Sequence, residues 1–216
     1  MAQNFNGRVA LITGSTTGLG FGIAKVLGLG GAKVVMNYAN DSERGERAFA
    51  EFQALGCDGI LLRGSAINEE EITAMVNEVQ ERLGAVDIVV PNATPAQPQK
   101  PIEEYDWEFY QQMLDFFVKS PYLLTRAVLP KMKEKGWGRI INIGSEVYQM
   151  SVSPFSAYVS AKGGQIGWTR SMSREMAPFG ITVNTVNPGW IPTERHADDS
   201  QEDKDGYLAA IPMGRW

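Results

Sequence analysis

Tyr158 and Lys162 stand four residues apart in a segment that continues with helical period to Ala177, so both side chains share one helix face. A phenol of pKa ~10 is a poor proton donor or acceptor at neutral pH, and a nearby ammonium favours the phenolate. Lys162 is therefore expected to lower the Tyr158 pKa. Ser145 lies 13 residues before Tyr158, just after an apolar run, where it can hold a substrate oxygen while Tyr158 exchanges its proton. That is general acid–base chemistry suited to a site beside a hydride donor. The bland alternative is a solvated lysine beside a surface tyrosine, and a bare Tyr-xxx-Lys spacing arises readily by chance.

A second constellation lies near the start. The run Val9-Ala10-Leu11-Ile12-Thr13 leads into Gly14-Ser15-Thr16-Thr17-Gly18-Leu19-Gly20, after which Phe21 to Leu29 reads as a helix. A strand turning tightly into a helix leaves unpaired amides and a positive dipole end at the turn, and residues without a Cβ let a pyrophosphate approach that backbone. The turn is a candidate phosphate site. A glycine-rich turn can also serve only close strand–helix packing, and the spacing here is not Gly-x-Gly-x-x-Gly.

The elements that would position these groups alternate strand with helix. Six strands are expected: Arg8–Thr13, Lys33–Asn37, Gly59–Arg63, Asp87–Val90, Arg139–Ile143 and Ile181–Asn187. Between them, Glu69–Leu83 places Ile72, Met75, Val76, Val79 and Leu83 on one helical face, with Asn68 as cap and Gly84 beyond the end. No repeat or linker divides residues 1–216, so the expectation is one α/β domain: a doubly wound parallel sheet of Rossmann type, order 3-2-1-4-5-6.

Composition narrows the function. With 44% hydrophobic and 21% charged residues the chain is an ordinary globular one. The net charge is −5 and the basic residues are scattered, which speaks against a nucleic-acid or anionic-membrane surface. The single cysteine, Cys57, excludes an internal disulfide or thiolate metal cluster. The lone histidine, His196, reads as a surface residue, so no metal is expected. No apolar run nears the ~20 residues of a bilayer span, and the first ten residues carry no signal-peptide pattern. The cytoplasm is the expected location.

Taken together, five ordered marks make the chain resemble the short-chain dehydrogenase/reductase family, in the branch that includes 3-oxoacyl-carrier-protein reductases. They are Thr13-Gly14-xxx-Gly18-x-Gly20, Asn92-Ala93, Ser145, Tyr158-xxx-Lys162, and Asn187-Pro188-Gly189-Trp190-Ile191-Pro192-Thr193. The resemblance spans nearly the whole chain. It implies that Tyr158 is the acid/base, that Ser145 holds the substrate oxygen, and that Lys162 tunes the tyrosine and binds the nicotinamide ribose. It further implies that Gly14, Ser15, Thr16, Thr17, Gly18, Leu19 and Gly20, with Tyr38, Asn92 and Ala93, hold the rest of a dinucleotide. Pro188, Gly189, Ile191 and Thr193 would hold its nicotinamide end, and residues 190–212 would cover a small-molecule substrate. Self-association to a dimer or tetramer, through Asp106–Lys135 and Tyr158–Ala177, also follows from the resemblance.

The sequence departs from the family pattern in several places. Phe117 replaces the asparagine of a proton relay, and a phenyl ring neither donates nor accepts the hydrogen bonds required. Pro91 and Thr94 alter the loop after the fourth strand, and Ser65 stands where an aspartate meets the adenine. The chain stops at Trp216, before the family's seventh strand, as a truncated record would. Tyr38, neutral where an acidic residue selects NAD, tilts the expected cofactor to NADP(H) over NAD(H), with Arg44 within reach of a 2′-phosphate. Phe116, Phe117, Tyr148, Met150, Phe155 and Trp190 either line an apolar substrate site or are core and subunit-contact residues.

Three functions compete. The first is an oxidoreductase moving hydride between NADP(H) and a carbonyl or secondary alcohol. The second is a non-catalytic nucleotide-binding relative acting as sensor or partner, which Phe117 motivates. The third is a lyase or dehalogenase on the same fold, disfavoured by the intact glycines.

Overall fold

Strand β1 (Val9–Ile12) is apolar on both faces because both are covered: Val9 and Leu11 join one core, Ala10 and Ile12 the other. The same logic holds for β2 (Lys33–Tyr38), β3 (Gly59–Arg63), β4 (Ile88–Val90) and β5 (Gly138–Ile143), whose bounds lie within a residue of those expected. The sixth, β6 (Ile181–Val186), buries only Ile181 and Val183, with Thr182, Asn184 and Val186 exposed. All six pair in parallel in the order β3-β2-β1-β4-β5-β6. The computed structural model describes residues 4–216.

Helices α1 (Gly18–Leu29) and α2 (Ser42–Ala54) cover one face. They approach closely: a Cβ on Gly28 would lie 2.7 Å from the Phe52 ring. On the other face lie α3 (Glu69–Arg82), α5 (Ser120–Lys135) and α7 (Ser156–Met176). As expected, Asn68 caps α3 by accepting from Glu71 N at 3.0 Å. α1 starts at Gly18 rather than at the expected Phe21, so the last two glycines of the turn belong to the helix. Helix α4 (Trp107–Leu114) runs into a π-helical turn, Asp115–Lys119, before α5, and a small apolar cluster joins that turn to α7 through Met113, Phe117, Ala157 and Ala161. The short α6 (Val147–Met150) follows β5, and α8 (Gln201–Ala210) closes the chain.

This topology sets the site. The turns after β1, β4, β5 and β6 all open at the carboxyl edge of the sheet, where the order reverses between β1 and β4 and a crevice for a ligand forms.

Candidate active site

A cleft of about 1450 Å³ runs along that edge. It gathers residues from every segment singled out in the sequence. Gly14, Thr16, Thr17, Gly18, Leu19, Gly20, Tyr38, Asn92 and Ala93 border one part, and Ser145, Tyr158, Lys162, Pro188, Gly189, Ile191 and Thr193 the other. Ser15 is the exception among the expected binding residues. It is fully buried, donating to Ile12 O at 2.8 Å and accepting from Asn37 N at 2.9 Å, so it fastens the turn to β2 from behind.

The glycine turn needs its glycines for contact. A Cβ on Gly14, which has φ +60°, would come 2.8 Å from Ala93 Cα, and one on Gly20 would come 2.4 Å from both Asn92 Nδ2 and Gly14 O. Side chains then pin the backbone. The Thr13 hydroxyl accepts from Asn92 N at 3.0 Å and Ala93 N at 3.1 Å, while Asn92 Nδ2 returns bonds to Thr13 O and Gly14 O at 2.9 and 3.0 Å. Buried Asn37 accepts from Gly14 N at 3.2 Å and donates to Gly64 O at 2.9 Å, tying the turn to the end of β3. The sequence reading missed Asn37. A polar residue in an apolar strand, just before the strand leaves the core, was the available signal.

These features pass a structural test for a dinucleotide. The turn is too tight for side chains, presents a helix N-terminus to the cleft, and is held rigidly from behind. At its far end the neutral Tyr38 packs its ring over Gly45, and Arg44, paired to Asp41 at 3.5 Å, borders the cleft.

In the other half, Tyr158 is packed between Phe117 and Phe155, with ring centroids at 5.2 and 4.8 Å. Burial pushes its phenol above the usual tyrosine value, while the Ser145 hydroxyl and the Arg195 guanidinium pull the other way. The direction is opposite to the one expected: burial of the phenol outweighs its partners, and Lys162 does not offset it. Its ammonium lies 5.4 Å from the Tyr158 ring centroid but is itself buried, which brings the lysine down to about 7. A lysine half-deprotonated at neutral pH is a weak tuner of its neighbour. Lys162 Nζ donates to Ile143 O at 2.5 Å and lies 3.8 Å from the Phe117 ring centroid. Phe117 thus offers its π face where a relay group would offer a hydrogen bond.

The aromatic set, left open between cleft lining and core or subunit contact, divides. Phe116, Phe117, Met150, Phe155 and Trp190 border the cleft, but Tyr148 packs over Gly163 outside it. Gln97, Gln99 and Gln112, which were not anticipated, and Arg195, from the segment expected to cover the substrate, add polar groups to the cleft lining. Arg195 Nη2 donates to Pro95 O at 3.2 Å. Residues 190–212 are tied back to the cleft by Tyr207, whose hydroxyl donates to Glu146 and accepts from Trp190 N at 2.8 Å. Gly189 leaves room for it: a Cβ there would lie 2.1 Å from the Tyr207 oxygen. His196, expected at the surface, is partly buried, bonds Asp199 at 2.7 Å and meets Trp190 edge-on.

Comparison with known proteins agrees with this geometry. The short chain dehydrogenase family profile matches residues 8–204. A 3-oxoacyl-[acyl-carrier-protein] reductase from Vibrio cholerae is 38% identical over 215 residues, covering 99% of this chain and 85% of that protein. A 2-dehydro-3-deoxy-D-gluconate 5-dehydrogenase from Formosa agariphila is 31% identical, covering 97% and 80%. Among solved structures, a putative gluconate dehydrogenase from Agrobacterium tumefaciens superposes with a TM-score of 0.93 at 32% identity, over 100% of this chain and 85% of the other. A gluconate 5-dehydrogenase from Burkholderia cenocepacia in complex with NADP and tartrate gives 0.90 at 28%, over 100% and 84%.

Proposed function

Because the chain belongs to the short-chain dehydrogenase/reductase family of oxidoreductases, we propose that it moves hydride between NADP(H) and a carbonyl or secondary alcohol, with Tyr158 as the acid/base. The observation that carries this reading is the half-buried Tyr158 bordering the same cleft as the glycine turn, with the Ser145 hydroxyl beside it.

In the reducing direction, a bound reduced nicotinamide supplies the hydride to the carbonyl carbon. Ser145 Oγ donates a hydrogen bond to the carbonyl oxygen and orients it. Tyr158 Oη gives that oxygen its proton as negative charge develops there, which avoids a free alkoxide. The resulting phenolate is reprotonated from the side of Lys162, whose ammonium releases a proton near neutral pH and becomes the free amine. Phe116, Phe155 and Met150 give the cleft apolar lining, while Gln97, Gln112 and Arg195 give it polar groups, which suits a substrate with one apolar and one polar end.

NADP(H) over NAD(H) is supported by neutral Tyr38, by Arg44 at the cleft, and by the NADP bound in the Burkholderia relative. The proposal carries with it one domain over residues 1–216, a covering role for residues 190–212, a cytoplasmic setting and self-association through α4, α5 and α7. Among the described residues no helix is long and apolar enough to cross a membrane. The test is oxidation of NADPH over a panel of carbonyl compounds graded from apolar to acidic. Turnover is expected for the wild type and a drop of about 10²–10⁴-fold for Tyr158→Phe with cofactor binding retained. Equal rates for the two proteins would refute the role of Tyr158.

A further inference from the structure

The phosphate seat on α1 is held by an anion of the protein's own. Helix α1 has no acidic residue in its first turn, and its N-cap, Thr17, makes no side-chain bond to its own helix. Instead, the Thr17 hydroxyl and Gly18 N both donate to Glu194 Oε1, the amide at 2.7 Å, across 176 residues of sequence. These contacts, the Thr17 hydroxyl foremost, hold the Glu194 carboxyl below its usual range, so the group is charged at neutral pH. A carboxylate and a phosphate oxygen want the same things from a helix N-terminus: amide donors, a hydroxyl donor and the positive end of the dipole. One set of donors cannot serve both.

We propose that Glu194 is an internal competitor for the pyrophosphate seat, displaced when the dinucleotide binds, so that this residue sets cofactor affinity and latches the covering segment while the seat is free. The inference rests on the dinucleotide reading above. Its reach comes from where Glu194 sits. It opens the 3₁₀ turn Glu194–His196, directly before Arg195. Arg195 is bonded to the loop after β4 through Pro95 O and acts on the Tyr158 phenol. Moving Glu194 off Gly18 therefore moves the backbone that carries this cation of the cleft lining. Cofactor binding and arrangement of the cleft lining become one event, which favours cofactor entering first. Arg44, the cation that acts on Glu194 across the cleft, loses that partner and is left to face the cofactor.

The test uses wild type, Glu194→Gln, which keeps the shape and removes the charge, and Glu194→Ala, which removes the carboxyl group. Each is titrated with NADPH by the fluorescence of the reduced nicotinamide. Amide hydrogen exchange is read without cofactor at His196 and Ala197, whose N–H groups bond Thr193 O at 2.9 Å and Glu194 O at 3.2 Å. Both variants are expected to bind NADPH roughly three- to tenfold tighter and to exchange faster at these two amides. Binding to the wild type with no gain in either variant, or weaker binding in both, overturns the competitor and leaves the dinucleotide reading standing. Absence of NADPH binding in all three refutes the dinucleotide reading itself, and the competitor with it.

Discussion

The two halves of the cleft are built by different means. Around the glycine turn, side chains of Thr13, Ser15, Asn37 and Asn92 bond backbone atoms and fix the main chain of the turn. Around Tyr158, side chains meet side chains: the rings of Phe117 and Phe155, the Lys162 amine over Phe117, the Tyr207 hydroxyl on Glu146. The first arrangement holds main-chain groups in fixed positions at the cleft. The second depends on side-chain identity, as the Lys162 nitrogen facing the Phe117 ring illustrates.

The largest break in this contrast is expected from Gly20→Ala. The new Cβ would lie 2.4 Å from Gly14 O, a backbone atom, and from Asn92 Nδ2, so the turn must deform. Stability should fall by about 1–3 kcal/mol in denaturant unfolding, and most of the NADPH affinity should go with it. Unchanged binding would mean that the turn is not the ligand surface. Asn37→Ala removes the acceptor of Gly14 N and the donor to Gly64 O inside the core. A cost of about 1–3 kcal/mol is expected for the groups left unpaired, with cofactor affinity weakened through the loosened turn.

These two positions also show what could be read from sequence. Gly14, Gly18 and Gly20 were legible because a turn that a phosphate must approach tolerates no side chain, a local requirement. The strands were legible because burial on both faces leaves continuous apolar runs, and even β6, covered on one face only, kept its pattern. Asn37 was not legible, and of Glu194 and Arg195 only the segment was, because each contact is made with a partner far along the chain that the fold alone brings near. Lys162 was found, but its lowered pKa was not anticipated. Spacing placed it beside Tyr158, whereas the burial under Phe117 that lowers its pKa is a property of tertiary packing.

A pH effect sharpens the second half. Lys162 titrates at about 7 in the fold and near ~10.4 when unfolded. Between those values the unfolded chain binds more protons, so stability should rise with pH from about 7 towards 10, by at most about 1.4 kcal/mol per unit. Below pH 7 the burial penalty is present in full and this contribution is flat. In Lys162→Met the rise should be missing from urea midpoints measured across that window. An identical slope in both proteins would place the lysine in water rather than under Phe117.

The central claim, that the glycine turn and the Tyr158 cluster form one working dinucleotide site, is tested most directly by titrating the folded protein with NADPH and with NADH and following the fluorescence of the reduced nicotinamide. Saturable binding, tighter for NADPH because Tyr38 is neutral and Arg44 borders the cleft, is the expected result. Binding of neither would contradict the account, and tighter binding of NADH would overturn its cofactor assignment.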